Sequence, residues 1–381
     1  MKSAKITYLS SIACGVILFL IGVFMLASLD KSPGQVINEN LSHSGNSNSV
    51  SDIPYTGNMD SINFLVLIKE ASGLNTDSII IANYSPETKQ INLLTVPRDT
   101  AAGVNTTYKV NSVFSMGLNK FKKSKELTLP EQKHKAAEYT AQTISNLTRI
   151  KLDYYAYFEI DTIKGIVDKL GGIYFDVPAK LKYKDPTQDL YIDLQPGYQL
   201  LDGDKAEQLL RFRKAHSSYY TPKELKEVKK YYDGSDLKRT EMQLKFVNAV
   251  IEQKVNLLEL PKLIPIIDYT FDNVITNTSL NDVLSLFRAF TQGSRPDMNT
   301  FKLSGIDKRI DGADYVIYNN TIEDTKARKI YRSDEIIKEY FSIPSGNFIP
   351  DEKQKYDYDK ILRDNPSNSD TDISKDNKDK P

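Results

Sequence analysis

The residues best suited to chemistry in this chain are cations at recurring positions. Arg98 sits beside Asp99, with Lys109 ten residues on, and Arg211-Phe212-Arg213 forms a second group. Guanidinium groups stay charged and bind phosphate through two parallel hydrogen bonds. Arg211 and Arg213 are spaced by two, so extended backbone sends both side chains to one face and Phe212 to the other, toward a core. Arg239 and Gln243 are spaced by four and share one face of a helix. Each cation taken singly is an ordinary solvated charge. Taken together, Arg98, Lys109, Arg211, Arg213 and Arg239 suit a pyrophosphate. Glu70 and Asp77 are the candidate acids, and two carboxylates meeting phosphate oxygens through Mg²⁺ is a common arrangement for that hard cation.

These residues need elements to hold them. The apolar run Ile91 to Val96 stops at Pro97, which reads as a strand ending where Arg98 begins. Phe64 to Ile68 reads as a strand that delivers Glu70, and Ser78 to Ala82 as one that starts just after Asp77. The turn composition of residues 83–89 joins the Ser78 to Ala82 and Ile91 to Val96 strands as an antiparallel hairpin. A helix is expected over Glu131 to Thr148, a strand over Tyr154 to Ile160, and a helix over Thr162 to Leu170 capped by Asp161. Gly171-Gly172 ends that helix before a strand from Ile173 to Val177. This strand–helix–strand unit implies an α/β layer over a covered sheet.

Residues 183–198 read as polar and turn-rich. Asp202 caps a helix toward Leu210 that leads into Arg211. Residues 214–234 are heavily charged and read as an exposed, mobile insertion. A long helix follows from Asp236 to about Val255, and a capping box at Ser279 to Asp282 opens another. Phe301 to Leu303 and Tyr315 to Tyr318 read as the last strands, with a final helix from Asp324 to Phe341.

The 381 residues carry 50 basic and 50 acidic side chains, so no overall field points to nucleic acid. A single cysteine, Cys14, excludes an internal disulfide or a cysteine metal cluster. No charged residue lies between Lys5 and Asp30, and this apolar span suits a bilayer crossing better than a shorter secretory signal. Lys2 and Lys5 favour a cytoplasmic amino end. The expected layout is a cytoplasmic end at 1–5, a transmembrane helix at 6–29, a flexible linker at 30–60, an extracellular domain at 61–341 and a disordered tail at 342–381. The chain is thus expected in the cell membrane, crossing once, with its carboxyl-terminal domain outside.

The motifs resemble those of the LytR-CpsA-Psr proteins of bacterial envelopes. The resemblance is carried by Asn63 to Ile68, Asp77-Ser-Ile-Ile-Ile-Ala, Leu93-Leu-Thr-Val-Pro-Arg-Asp and Lys109-Val-Asn. It continues through Asp153-Tyr-Tyr-Ala-Tyr-Phe, Ile166 to Pro178, Leu201-Asp-Gly-Asp-Lys-Ala, Arg211-Phe-Arg and Arg239-Thr-Glu-Met-Gln243, all within 61–255. It implies an α/β/α sandwich around a mixed sheet, with an apolar channel for a polyprenyl tail. It also implies transfer of a glycopolymer from an undecaprenyl-pyrophosphate carrier onto peptidoglycan, with Mg²⁺ as cofactor. Arg98, Lys109, Arg211, Arg213, Arg239 and Gln243 fall on the head-group positions. Asp77 falls on a metal-side Asp, and Glu70 stands where the family has Asp. Either acid could instead take the acceptor's proton. Asn75 and Ala102 stand where the family often has arginine, which leaves open a polyprenyl-lipid-binding adaptor without turnover.

Overall fold

The computed structural model describes most of residues 61–364; outside it lie 1–60, 70–72, 103–107, 125, 187–189, most of 235–268, 280–281, 283–296, 355 and 365–381. Of Asp77 only the backbone is described. An eight-stranded mixed sheet forms the middle. Its strands are β1 (Ile62–Lys69), β2 (Thr76–Ser85), β3 (Gln90–Thr95), β6 (Tyr154–Phe158), β11 (Ile275–Thr276), β12 (Asp297–Ile310), β13 (Ala313–Asp324) and β14 (Lys329–Arg332). They lie in the order β11-β6-β1-β2-β3-β12-β13-β14. Neighbours β6 and β1 run parallel, as do β3 and β12, and the other adjacent pairs run antiparallel.

The helices fall on both faces. They include α1 (Val113–Lys122), α2 (Leu129–Thr148), α3 (Ile160–Lys169), α4 (Gly203–Arg211), α5 (Pro222–Tyr231), α6 (Ser333–Tyr340) and α7 (Tyr358–Asp364). Side chains alternate across a strand. Phe64, Val66 and Ile68 therefore pack on one face with Ile163 and Val167 of α3 and Leu209 of α4. Leu65 and Leu67 pack on the other with Phe114 of α1, Ile144 of α2 and Ile336 of α6. All residues from Ile62 to Ile68 are buried, as a strand covered on both faces requires.

The β2–β3 hairpin forms as read, with Ser85 opposite Gln90. The Ser279–Asp282 cap also forms, with each residue's backbone N–H donating to the other's side chain. Gly171 and Gly172 both adopt φ +74°, and Leu201 O lies 2.9 Å from where a Cβ on Gly172 would stand, so a side chain there meets backbone.

Several expectations are corrected. The second strand of the strand–helix–strand unit does not join the main sheet beside β6. Strand β7 (Ile173–Val177) pairs instead with β10 (Gly197–Leu201) in a separate ribbon. The helix after β6 starts at Ile160 behind Glu159, earlier than Asp161 suggested. Residues 183–198 are not mainly turns: β8 (Leu181–Asp185) and β9 (Leu190–Leu194) form a second ribbon. The charged stretch 214–234 holds α5, closed at Thr221 by a reciprocal cap with Glu224 and anchored by buried Val228 and Tyr232. The last long helix does not begin at Asp324; β13 runs to that residue, β14 follows, and α6 starts at Ser333.

Residues 342–364 are not a disordered tail over their described part. Leu152 and Phe348 exchange both backbone hydrogen bonds, at 3.0 and 2.8 Å, and Ile361 of α7 is buried against Ile310 and Ile317. Among the described residues no helix is long and apolar enough to cross a membrane, and the stretch 6–29 lies outside them, as do 30–60 and 365–381.

Candidate anion-binding rim

The carboxyl ends of β1, β6 and β3 and the start of β2 share one edge of the sheet. Ile68 pairs with Phe158 and with Ser78, and Val96 N donates to Ile79 O at 2.9 Å. The ladder ends there, and Pro97 to Thr100 turn away from it, so Arg98 follows the end of β3 at the edge where β2 begins. Glu70 follows β1 at this edge but lies outside the described residues, as do Arg239 and Gln243.

The loop after β3 is tied down by backbone bonds. Thr100 N donates to Pro97 O, Asn111 N to Arg98 O, and Val316 N to Asp99 O. A two-stranded ribbon, β4 (Ala101–Ala102) with β5 (Tyr108–Lys109), then brings Lys109 back beside Ala101. Lys109 Nζ donates to Asp99 Oδ1 at 2.7 Å, and Arg98 Nε lies 3.7 Å from Asp99 Oδ2. Both cations keep a quarter of their side chains exposed. Such half-open pairs add little to stability but keep charge available at the surface. Lys109 Nζ also lies 5.3 Å from the Tyr315 ring centroid, so the β12–β13 hairpin walls this side of the rim.

The second cationic group sits at the end of α4. Asp202 caps that helix by accepting from Lys205 N at 2.8 Å. Arg211 is its last residue, Phe212 is fully buried, and its ring meets Tyr232 edge-on at 4.9 Å. Arg213 Nε donates to Gly234 O at 3.1 Å, which uses the α5 segment as a brace. Arg211 Nη1 donates to Glu207 Oε1 at 2.6 Å, and Lys164 of α3 reaches Glu207 at 3.3 Å and Asp204 at 2.6 Å. The bond to Asp204 holds the Lys164 ammonium above its ordinary range.

The sequence reading missed this α3–α4 network. The spacing of Glu207 and Arg211 by four was its visible signal. A cleft lined by Ile160, Ile163, Val167, Ala206 and Leu210 opens between the two helices, with Lys164, Glu207 and Arg211 at its border.

Arg211 borders a cleft shared with Ile160, which follows the end of β6, whereas Arg98 follows β3. The intervening strands are β1 and β2, so the ends of β6 and β3, after which these two segments begin, stand roughly 14 Å apart. Arginine side chains reaching in from either side can serve one phosphate-rich ligand. Among the described residues no cluster of three metal-binding side chains occurs.

Known proteins are similar to this chain in sequence. A polyisoprenyl-teichoic acid–peptidoglycan teichoic acid transferase, TagV of Bacillus subtilis, is 24% identical over 238 residues, covering 61% of this chain and 52% of its own length. The chain thus spans about half of that relative. TagU of Halalkalibacterium halodurans, also named a polyisoprenyl-teichoic acid–peptidoglycan teichoic acid transferase, is 24% identical over 252 residues, covering 64% of this chain and 67% of its own length. The crystal structure of B. subtilis TagV matches 69% of this chain and 92% of that chain at a TM-score of 0.47 and 21% identity. A family model also matches residues 31–330, most of the chain and all of the rim described above, and the chain belongs to the LytR_cpsA_psr family.

Proposed function

We propose that this protein transfers a glycopolymer from a polyprenyl-pyrophosphate carrier onto peptidoglycan. The single observation that carries the reading is the shared sheet edge, which gathers Arg98 and Lys109 from one side and Arg211 and Arg213 from the other. Membership of the family and the activity for which the TagV and TagU relatives are named support it. In the proposed step an acceptor hydroxyl oxygen forms a bond to the phosphorus that carries the glycan. The bond from that phosphorus to the bridging oxygen breaks, polyprenyl phosphate leaves, and the hydroxyl proton passes to a carboxylate.

The chain's own residues prepare this step. Arg98, Arg211 and Arg213, with Arg239 and Gln243, hold the pyrophosphate oxygens and stabilise charge as it builds on the leaving phosphate. Asp99 orients Lys109 toward the same oxygens through its 2.7 Å bond. Phe212 and Tyr232 exclude water behind the arginines. Glu70 and Asp77 offer hard oxygen donors of the kind that would hold Mg²⁺ beside the phosphates. When bound, Mg²⁺ would neutralise developing charge on the pyrophosphate. One of these acids could serve as the proton acceptor instead. In the same reading the chain is anchored in the membrane by 6–29 with this domain outside, which sets the rim near its lipid carrier.

The test supplies purified protein with a lipid-pyrophosphate-linked sugar and peptidoglycan fragments, with and without Mg²⁺. Mg²⁺-dependent release of polyprenyl phosphate is expected, and its loss in Asp77→Ala with lipid binding retained. Binding without release by the unmutated protein would overturn the transferase reading and leave an adaptor that holds polyprenyl lipid.

A further inference from the structure

The β7–β10 ribbon stands apart from the rim. Ile173, Phe175 and Val177 point into the core, and Phe175 meets Phe246 at 5.7 Å. The other face is open. Tyr174 is 49% exposed, Tyr198 72% and Leu200 40%. The two tyrosine rings lie nearly parallel, 5.5 Å between centroids and 13° between planes. Large apolar groups gathered on a surface usually mark a contact site.

We propose that this face is a docking surface for an uncharged amino-sugar strand, the glycan part of the acceptor. The inference rests on the transferase reading and adds where the acceptor lies. Charge selects the occupant. In the sequences of the two strands, Ile-Tyr-Phe-Asp-Val and Gly-Tyr-Gln-Leu-Leu, the one charged residue is Asp176. It stands directly opposite Tyr198 in the ladder. A polyanion such as a phosphate-linked polymer is repelled there. A bilayer is disfavoured too, since seating both tyrosines in it would draw Asp176 out of water.

A peptide strand adding to the edge of β7 is blocked at Tyr174. Gln253 already donates to Tyr174 O at 2.5 Å and accepts from Tyr174 N at 2.8 Å. A pyranose ring fits what is left. Its C–H face packs on tyrosine rings, and its hydroxyls and acetamido group find Asp176 and the Tyr hydroxyls at the border.

The test measures calorimetric binding of an N-acetylglucosamine oligomer to the full-length protein in detergent, with no lipid donor present. Native protein should bind. Tyr198→Ala and Tyr174→Ala should weaken binding roughly five- to tenfold, and Tyr198→Phe should keep it, because the ring carries the contact. Absence of binding by native protein, or equal binding by the alanine variants, would overturn the proposal. Sedimentation with phosphatidylglycerol vesicles that depends on Tyr198 would overturn it in favour of a membrane surface. Competition by a glycerol-phosphate polymer would do so in favour of a polyanion site. Tyr198-dependent oligomer binding in a native protein that releases no polyprenyl phosphate would sink the transferase reading and spare the glycan surface.

Discussion

The two ends of strands β1, β2 and β3 solve opposite problems. At the end where β1 begins, Asn63, Asn83, Asn92 and Asn299 stand in register on β1, β2, β3 and β12. Their amides form a chain across the sheet. Asn83 donates to Asn63 at 2.9 Å, Asn92 to Asn83 at 3.0 Å, and Asn299 to Asn92 at 2.8 Å. The chain also captures the end of α6, since Asn63 donates to Phe341 O at 2.8 Å and Asn92 to Tyr340 O at 3.3 Å. Five residues further along β1, roughly 17 Å away, the strands end at the cationic rim. There the charges are half open and held by short tethers to Asp99, Glu207 and Gly234. Neutral polar groups can be buried when they satisfy one another. Charges that must meet a ligand stay where water, and then the ligand, can reach them. One end therefore fixes the sheet, and the other presents chemistry.

The largest expected effect comes from breaking the ladder in the middle. Asn83→Leu keeps the number of side-chain heavy atoms but removes the partner of the Asn63 side-chain carbonyl and one of the two acceptors of the Asn92 amide, at a site fully shielded from water. A loss of about 2–4 kcal/mol is expected. A lowered urea midpoint would register it, while turnover per folded molecule at the rim stays near the native value. A midpoint shift under half a kcal/mol equivalent would mean that the ladder does not hold the sheet.

At the rim the balance reverses. Arg211→Ala should cut turnover roughly ten- to a hundredfold, the equivalent of one charged hydrogen bond to the phosphate. Stability should fall far less than in Asn83→Leu, because Lys164 remains 3.3 Å from the Glu207 carboxylate that Arg211 leaves behind. Equal losses of stability and activity would make Arg211 a structural brace.

The rim was more legible than the ladder, for a physical reason. Arg98 follows a strand-ending proline, and Arg211 and Arg213 flank a phenylalanine, so local sequence announces both. The ladder depends on the register between strands as far apart as residues 63 and 299, which local pattern does not encode. Charge density misled elsewhere. Leu181-Lys-Tyr-Lys-Asp and Leu190-Tyr-Ile-Asp-Leu alternate as half-exposed strands should, yet their lysines and aspartates read as loop. Thr221-Pro-Lys-Glu224 is a reciprocal cap inside a stretch read as an insertion. Residues 345–364 look too polar to fold, but order needs only a few anchors such as Phe348, Tyr356 and Ile361 against an existing core.

The smallest effect tests the ladder's border with ionisation. Asp153 Oδ2 accepts from Asn63 N at 2.9 Å, and Asp153 N donates to Asn63 O at 2.9 Å, so this carboxylate ends the row of amides. Burial pushes it up to about 6, partly opposed by the Asn63 N–H and by Lys151. A carboxyl raised in the folded state binds its proton more tightly there than in the unfolded chain. Protonation therefore adds stability that is complete below about pH 4 and lost as pH rises through about 6. Above that, the ionised group costs about 1 kcal/mol after allowance for its contact with water. Asp153→Asn is neutral throughout and keeps an oxygen for the Asn63 N–H. It should be more stable than the native protein at pH 8 by that amount, and the gap should shrink as pH is lowered to 5. Urea midpoints across this range read it directly. A variant that is less stable at pH 8 would mean that the charge itself, through Lys151 and the Asn63 N–H, is what this end of the sheet requires.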